Sequence, residues 1–372
     1  MSILFEPLNA GELRLKNRII MAPLTRCRAG ELREPTDLVA QYYAQRASAG
    51  MIISEATSIS EMGVGYPRTP GIWSEDQVTA WRKVTEKVHK NGGTILLQLW
   101  HVGRLSDPHW LNGRIPVSAS AVRPKGHPSH IRPIKDFVTP RALEVSEVKE
   151  VIADFKEAAI NAKLAGFDGV EIHGANGYLL DQFLQDSTNL RTDEYGGSIE
   201  KRARLMLEVT DAVCEIWGNG RVGMHLAPRC DAQDMGDSNP LITFKYVAKE
   251  LGKRKIAFIC SRAELGDDNL AYELKNEFGG VYIINQEMTK ANAEIEITIR
   301  HADACAWGKL FIANPDLVER FRINAELNTP DSSTFYTEGA AGYTDYPMLK
   351  LEYEECGINN NIAQNVESNY KV

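Results

Sequence analysis

Eight short apolar runs recur along the chain, at 18–24, 51–56, 94–100, 168–174, 221–227, 256–260, 281–284 and 303–307. Most are near-continuously hydrophobic, as parallel strands buried on both faces must be. The stretches between them carry helical signals. Ser74, with Gln77 three residues on, reads as a capping box, and Val78, Trp81, Val84 and Val88 follow on one helical face. Val148, Val151, Ile152, Phe155, Ala159 and Ala162 form a second apolar stripe, which Gly166 can terminate. Eight strand–helix units in series predict a (β/α)8 TIM barrel. A doubly wound nucleotide fold is the alternative. Its signature is missing, because the first run leads into Ala22-Pro23-Leu24-Thr25-Arg26 and not into GxGxxG.

One connection breaks the alternation. Residues 104–141 are rich in Pro, Gly, His and Arg and show no helical period, which predicts an excursion capping the barrel mouth. Residues 1–356 then form a single domain, with 357–372 a polar tail that is either disordered or an oligomer contact.

Composition narrows the function classes. The 372 residues carry a net charge of −8 with no dense Lys/Arg run, which argues against nucleic acid and anionic membranes as partners. No stretch approaches the roughly 20 apolar residues of a membrane span, and the N-terminus lacks a signal-peptide pattern. The six cysteines (Cys27, Cys214, Cys230, Cys260, Cys305, Cys356) form no CxxC pair. Reduced thiols in a cytoplasmic protein, monomeric or homo-oligomeric, are the expectation, with no metal.

On barrels, chemistry sits where strands end and βα loops begin. Those ends are polar here: Thr25 after the first run, Gln98 and Trp100-His101 in the third, and His173 in the fourth with Asn176 and Tyr178 behind it. A lone histidine by an apolar strand is commonly a satisfied core group. Asn176 and Tyr178 change that reading, since His173 and Asn176 supply two donors for a substrate oxygen and Tyr178 a phenol able to deliver a proton. Gln98 and Arg221 each also read as structural, an arginine at a strand start commonly pairing with a surface carboxylate. Lys309 reads as a phosphate ligand or a surface charge, because barrel phosphate sites form after strands seven and eight.

Several motifs carry a resemblance. His173-Gly-Ala-Asn-Gly-Tyr-Leu-Leu-Asp-Gln-Phe-Leu, the segment Asn189-Leu-Arg-Thr-Asp-Glu-Tyr-Gly-Gly-Ser, Met21-Ala-Pro-Leu-Thr-Arg, Phe311-Ile-Ala-Asn-Pro-Asp-Leu and Gly342-Tyr-Thr-Asp-Tyr-Pro resemble the old yellow enzyme family, in order, over about residues 3–350. The resemblance implies noncovalent FMN, hydride from NADPH or NADH, and reduction of small alkenes activated by carbonyl, nitro or maleimide groups, with nitrate esters a further substrate class. Pro23, Thr25, Ala56, Gln98 and Arg221 are then expected at the flavin ring, with Arg221 beside N1 and O2. His173 and Asn176 are implied to grip the substrate oxygen, and Tyr178 to protonate the α-carbon after hydride reaches the β-carbon. Tyr66, Trp100 and Tyr336 are implied as aromatic walls. Thr25 and Trp100-His101 resemble the branch of bacterial nitroester and maleimide reductases and plant oxophytodienoate reductases. The turn after strand seven departs from the family, with Ile284-Asn285-Gln286-Glu287-Met288-Thr289 in place of a glycine-rich phosphate loop. Backbone N–H groups around Gln286, Glu287 and Gly308, with Lys309, are expected to serve instead, provided the turn needs no positive φ.

Overall fold

The computed structural model describes residues 2–229, 232–262 and 269–349, so the tail at 357–372 lies outside the described residues. Its centre is a closed parallel barrel in which each strand pairs with the next along the chain. The strands are β1 (Ile19–Met21), β2 (Met51–Ser58), β3 (Ile95–Trp100), β4 (Gly169–His173), β5 (Val222–Leu226), β6 (Phe258–Arg262), β7 (Val281–Asn285) and β8 (Ala304–Trp307). All eight apolar runs are therefore barrel strands. The first is shorter than its run because Pro23 has no N–H for the ladder. The principal outer helices are α1 (Asp37–Gln45), α2 (Glu75–Lys90), α3 (Val145–Leu164), α4 (Leu179–Leu184), α5 (Ile199–Trp217), α6 (Pro240–Arg254), α7 (Ala271–Phe278) and α8 (Lys290–Thr298). Two short helices, α9 (Lys309–Ala313) and α10 (Leu317–Ile323), follow β8.

The capping box at Ser74 and Gln77 is formed, and Val78, Trp81, Val84 and Val88 are buried. Gly166 ends α3 at φ 82°, a conformation that costs glycine little. Inside the barrel, Ile20, Ile53, Leu96, Phe258, Ile283 and Ala304 pack in one cluster. Ala10, Leu13 and Leu15 of an N-terminal hairpin join it and close the strands' N-terminal end. The other end is left for chemistry.

Two devices shape that end. A bulge shifts the β2–β3 register between Ile53 and Ala56. The Arg26 backbone N–H donates to Glu55 Oε2 at 3.2 Å. Arg26 and Arg28 then tie down the segment after α10: Arg26 donates to the carbonyls of Phe335 and Gly342, and Arg28 to those of Thr334, Gly339 and Ala341. This brings Tyr336 to the rim. The 104–141 excursion is pinned by Arg104, which donates to the carbonyls of Val122, Gln233 and Asp234. It also lays Phe137 in a cluster with Ala56, Trp100, Val102 and Leu105, against which Tyr66 and Tyr178 pack.

Burial pushes the Glu55 carboxyl up to about 7, against the Arg26 N–H and the charges of Arg26 and Arg28. Burial likewise pushes Asp181 up to about 7. Each group holds its proton longer when folded, so its contribution is complete below the unfolded value and lost as pH rises through about 7. For Glu55 the loss is on the order of 3 kcal/mol. Glu55→Gln is expected to flatten, without abolishing, the fall in urea-unfolding free energy between about pH 5 and 8. Parallel pH profiles for the two proteins would show that Glu55 titrates normally.

Candidate active site

At the C-terminal end of the strands lies a cavity of about 1000 Å³. Pro23, Thr25, Ala56, Gln98, Trp100, His173, Asn176, Tyr178, Gln286, Glu287, Gly308, Lys309 and Tyr336 all line it. Strands from around the barrel thus converge on one space all the expected site residues except Tyr66, which packs behind Trp100, and Arg221.

His173 ends β4 and is buried. Its Nδ1 accepts the backbone N–H of Ala175 at 3.3 Å. A neutral imidazole accepting at Nδ1 carries its proton on Nε2, so the ring is a donor. Burial first, and then the neighbouring His225, hold its pKa well below the ordinary histidine value. His173 is therefore neutral through the ordinary pH range. Asn176 sits in the turn at φ 57°, a left-handed conformation that asparagine tolerates. Its Oδ1 accepts from Arg262 Nη1 at 2.9 Å, which leaves the amide hydrogens to donate.

Tyr178 stands beside these donors. Its ring meets His173 edge-on at 4.9 Å and Trp100 at 5.0 Å, and its hydroxyl lies 3.1 Å from that of Tyr66. Tyr66 in turn stacks on Trp100 at 5.5 Å. Burial raises the Tyr66 pKa, so that phenol stays protonated. The result is two neutral donors and a phenol around one apolar-walled space.

The cavity floor and far end are polar. Gln98 Nε2 donates to buried Glu171 Oε2 at 2.7 Å. The far end is the turn between β7 and α8. Thr289 caps α8, accepting the Asn292 N–H, and Trp307 Nε1 donates to the Met288 carbonyl at 2.7 Å. Helix N-termini attract anions through their unpaired N–H groups. Lys290 lines this end of the cavity as well, its ammonium donating to the Phe321 carbonyl at 2.7 Å. Lys309 is exposed at the rim.

Two expectations need correction. Arg221 is not at the cavity. It lies at the N-terminal end of β5, where Nε pairs with Glu12 at 3.0 Å and Nη1 donates to the Asp168 carbonyl at 3.0 Å. Strand polarity explains this: a residue that opens a parallel barrel strand belongs to the stable end, not the catalytic one. On β5 it is His225 that reaches the cavity. The turn also does require positive φ, at 95° for Gln286 and 52° for Glu287, with no glycine to adopt it. Side chains in that region cost roughly 1–2 kcal/mol each. Besides His225, Arg262 reaches the cavity without a motif to mark it, linking Asn176 to Gln286 through a 2.8 Å bond from Nε to Oε1. An arginine ending a strand is the only signal it gives.

Residues 3–328 match the NADH:flavin oxidoreductase / NADH oxidase family. The chain is 42% identical to 12-oxophytodienoate reductase 1 of Oryza sativa subsp. japonica, over 95% of this chain and 94% of that protein. It is 44% identical to the old yellow enzyme homologue of Zymomonas mobilis, with a TM-score of 0.91 over 93% of this chain and 99% of the other. Morphinone reductase, solved in complex with tetrahydroNAD, is 45% identical with a TM-score of 0.90, over 94% and 98% of the two chains. The match spans the barrel, the capping segments and the cavity together, and the chain belongs to the NADH:flavin oxidoreductase family of old yellow enzymes.

Proposed function

We propose that the protein binds FMN noncovalently, accepts reducing equivalents from NADPH or NADH, and reduces small alkenes conjugated to carbonyl, nitro or maleimide groups, with nitrate esters as further substrates. The observation that carries this reading is the convergence of His173, Asn176 and Tyr178 over a polar-floored cavity of about 1000 Å³. The donor set fits a flavin. Thr25, Gln98 and His225 offer polar groups along its floor, and the start of α8 with Gly308 and Lys309 suits a phosphate.

Bound FMN supplies the hydride. The chain's own residues do the rest. His173 Nε2 and the Asn176 amide donate to the substrate's carbonyl or nitro oxygen, drawing electron density from the alkene. Arg262 holds the Asn176 amide in orientation. Trp100, with Phe137 and Tyr66 packed around it, excludes water and holds the substrate plane. Tyr178 gives its hydroxyl proton to the α-carbon, and Tyr66, at 3.1 Å, can relay a replacement.

A second reading, a barrel that has abandoned flavin, is favoured only by the strained turn with its extra carboxylate at Glu287. The two readings separate on the purified protein: ours expects one releasable FMN per chain, whereas a colourless protein that FMN cannot reconstitute supports the other. Two variants test the phosphate end. Lys309→Ala is expected to weaken FMN binding by roughly tenfold while riboflavin changes less, and Glu287→Gly to tighten FMN selectively by removing a like charge. Equal shifts for FMN and riboflavin would place both residues away from the phosphate.

A further inference from the structure

Three neighbouring strands, β4, β5 and β6, each carry one ligand-type side chain, with Cys260 opposite His225 in the register and Glu171 opposite Gly223. The donor atoms of Glu171, His225 and Cys260 lie within 4.8 Å of one another, and all three residues are buried. Their hydrogen bonding is incomplete. Glu171 Oε1 and both ring nitrogens of His225 have no hydrogen-bond partner among the described residues, although they are shielded from solvent. The closest approach between the two residues, His225 Nδ1 to Glu171 Oε2, is 3.5 Å, too long for a good hydrogen bond. Buried polar atoms left in this way are costly, and an ion that engages Glu171 Oε1 and one of the two ring nitrogens of His225 would relieve part of that cost.

The surroundings suit a cation. Gln98 Nε2 donates to Glu171 Oε2 at 2.7 Å, and Asn285 Nδ2 donates to Cys260 Sγ at 3.7 Å. Outer amides of this kind orient metal ligands. One carboxylate and one thiolate neutralise a divalent ion, as a buried site requires. Mixed N, O and S donors select zinc over magnesium or calcium. Sub-ångström side-chain shifts would bring the atoms to the ligand distances of about 2.0–2.3 Å that zinc prefers. His225 lines the cavity and so gives the ion a way in and a fourth position open to it.

We propose that Glu171, His225 and Cys260 form a zinc site in the floor of the cavity. Binding forms a metal–sulfur bond while the Cys260 thiol releases its proton to solvent, with no change of oxidation state. The site shares His225 and Gln98 with the floor proposed for the flavin, so FMN content is followed beside metal binding. The probe is Co²⁺, titrated into full-length protein freed of metal by a chelator under reducing conditions. One equivalent should bind with a thiolate-to-cobalt charge-transfer band in the near ultraviolet, and Zn²⁺ should displace it. Cys260→Ser, nearly isosteric, should lose the band while keeping the wild-type melting temperature. His225→Ala should weaken Co²⁺ binding by at least about 10–100-fold. A wild-type protein that gives no such band, or a Cys260→Ser variant that keeps it, would overturn the site. FMN content measured on the same samples separates this outcome from failure of the flavin reading, because a yellow protein blind to cobalt rejects the zinc site alone.

Discussion

Replacing Tyr178 with phenylalanine is expected to leave reduction of the FMN-loaded protein by NAD(P)H within a few-fold of wild type while slowing its reoxidation by 2-cyclohexenone about 10²–10⁴-fold. The asymmetry follows from the proton count. Accepting hydride from a nicotinamide requires no acid from the protein, whereas reduction of an enone must end with a proton on the α-carbon. Tyr178 lines the same cavity as His173 and Asn176, its ring against that of His173 and its hydroxyl 3.1 Å from the Tyr66 hydroxyl. Removing one oxygen leaves the ring packing against Trp100 and His173 in place, so binding of the nicotinamide should change little. Nitroalkenes should suffer less, since the nitronate they yield can leave and be protonated in water. Stopped-flow measurement of the two half-reactions separates the cases. Wild-type reoxidation by cyclohexenone in the variant would return Tyr178 to the role of a packed wall.

His173→Ala is expected to weaken phenolate binding by roughly 10–150-fold, the loss of one hydrogen bond to a charged group. Phenols such as 4-hydroxybenzaldehyde should bind as anions with their oxygen between His173 and Asn176. They should give a long-wavelength charge-transfer band and a lowered apparent phenol pKa. Because burial keeps His173 neutral well below the usual histidine range, it acts as a dipolar donor, not as a cation. The affinity profile should therefore show the ligand's own titration and no additional gain near pH 6.5 from histidine. A gain there would mean that the ring is protonated when ligand binds. An unchanged band in His173→Ala would mean that the anion sits elsewhere.

The barrel was legible because parallel strands buried on both faces leave continuous apolar runs, and all eight runs at 18–307 became strands. His173, Asn176 and Tyr178 were legible because one short turn carries them all. Arg221 misled because charge and position in a strand run do not reveal which end of the barrel a side chain serves. The interior group of Glu171, His225 and Cys260 was invisible for another reason. Its members lie on three strands separated by whole helices, so no spacing rule brings them together. The positive φ of Gln286 and Glu287 was hidden as well, because non-glycine residues carry a conformation that glycine usually announces. Arg26 and Arg28 act as clamps on a segment some 300 residues away, which no local pattern can show.

The most direct test of the central claim is an anaerobic spectrum of the purified, FMN-reconstituted protein during one turnover. NADPH or NADH should bleach the oxidised flavin band near about 450 nm, and a single equivalent of 2-cyclohexenone or N-ethylmaleimide should restore it with formation of the saturated product. A protein that retains no flavin, or one whose bleached flavin is recoloured by oxygen but by no activated alkene, nitroalkene or nitrate ester, would contradict the account.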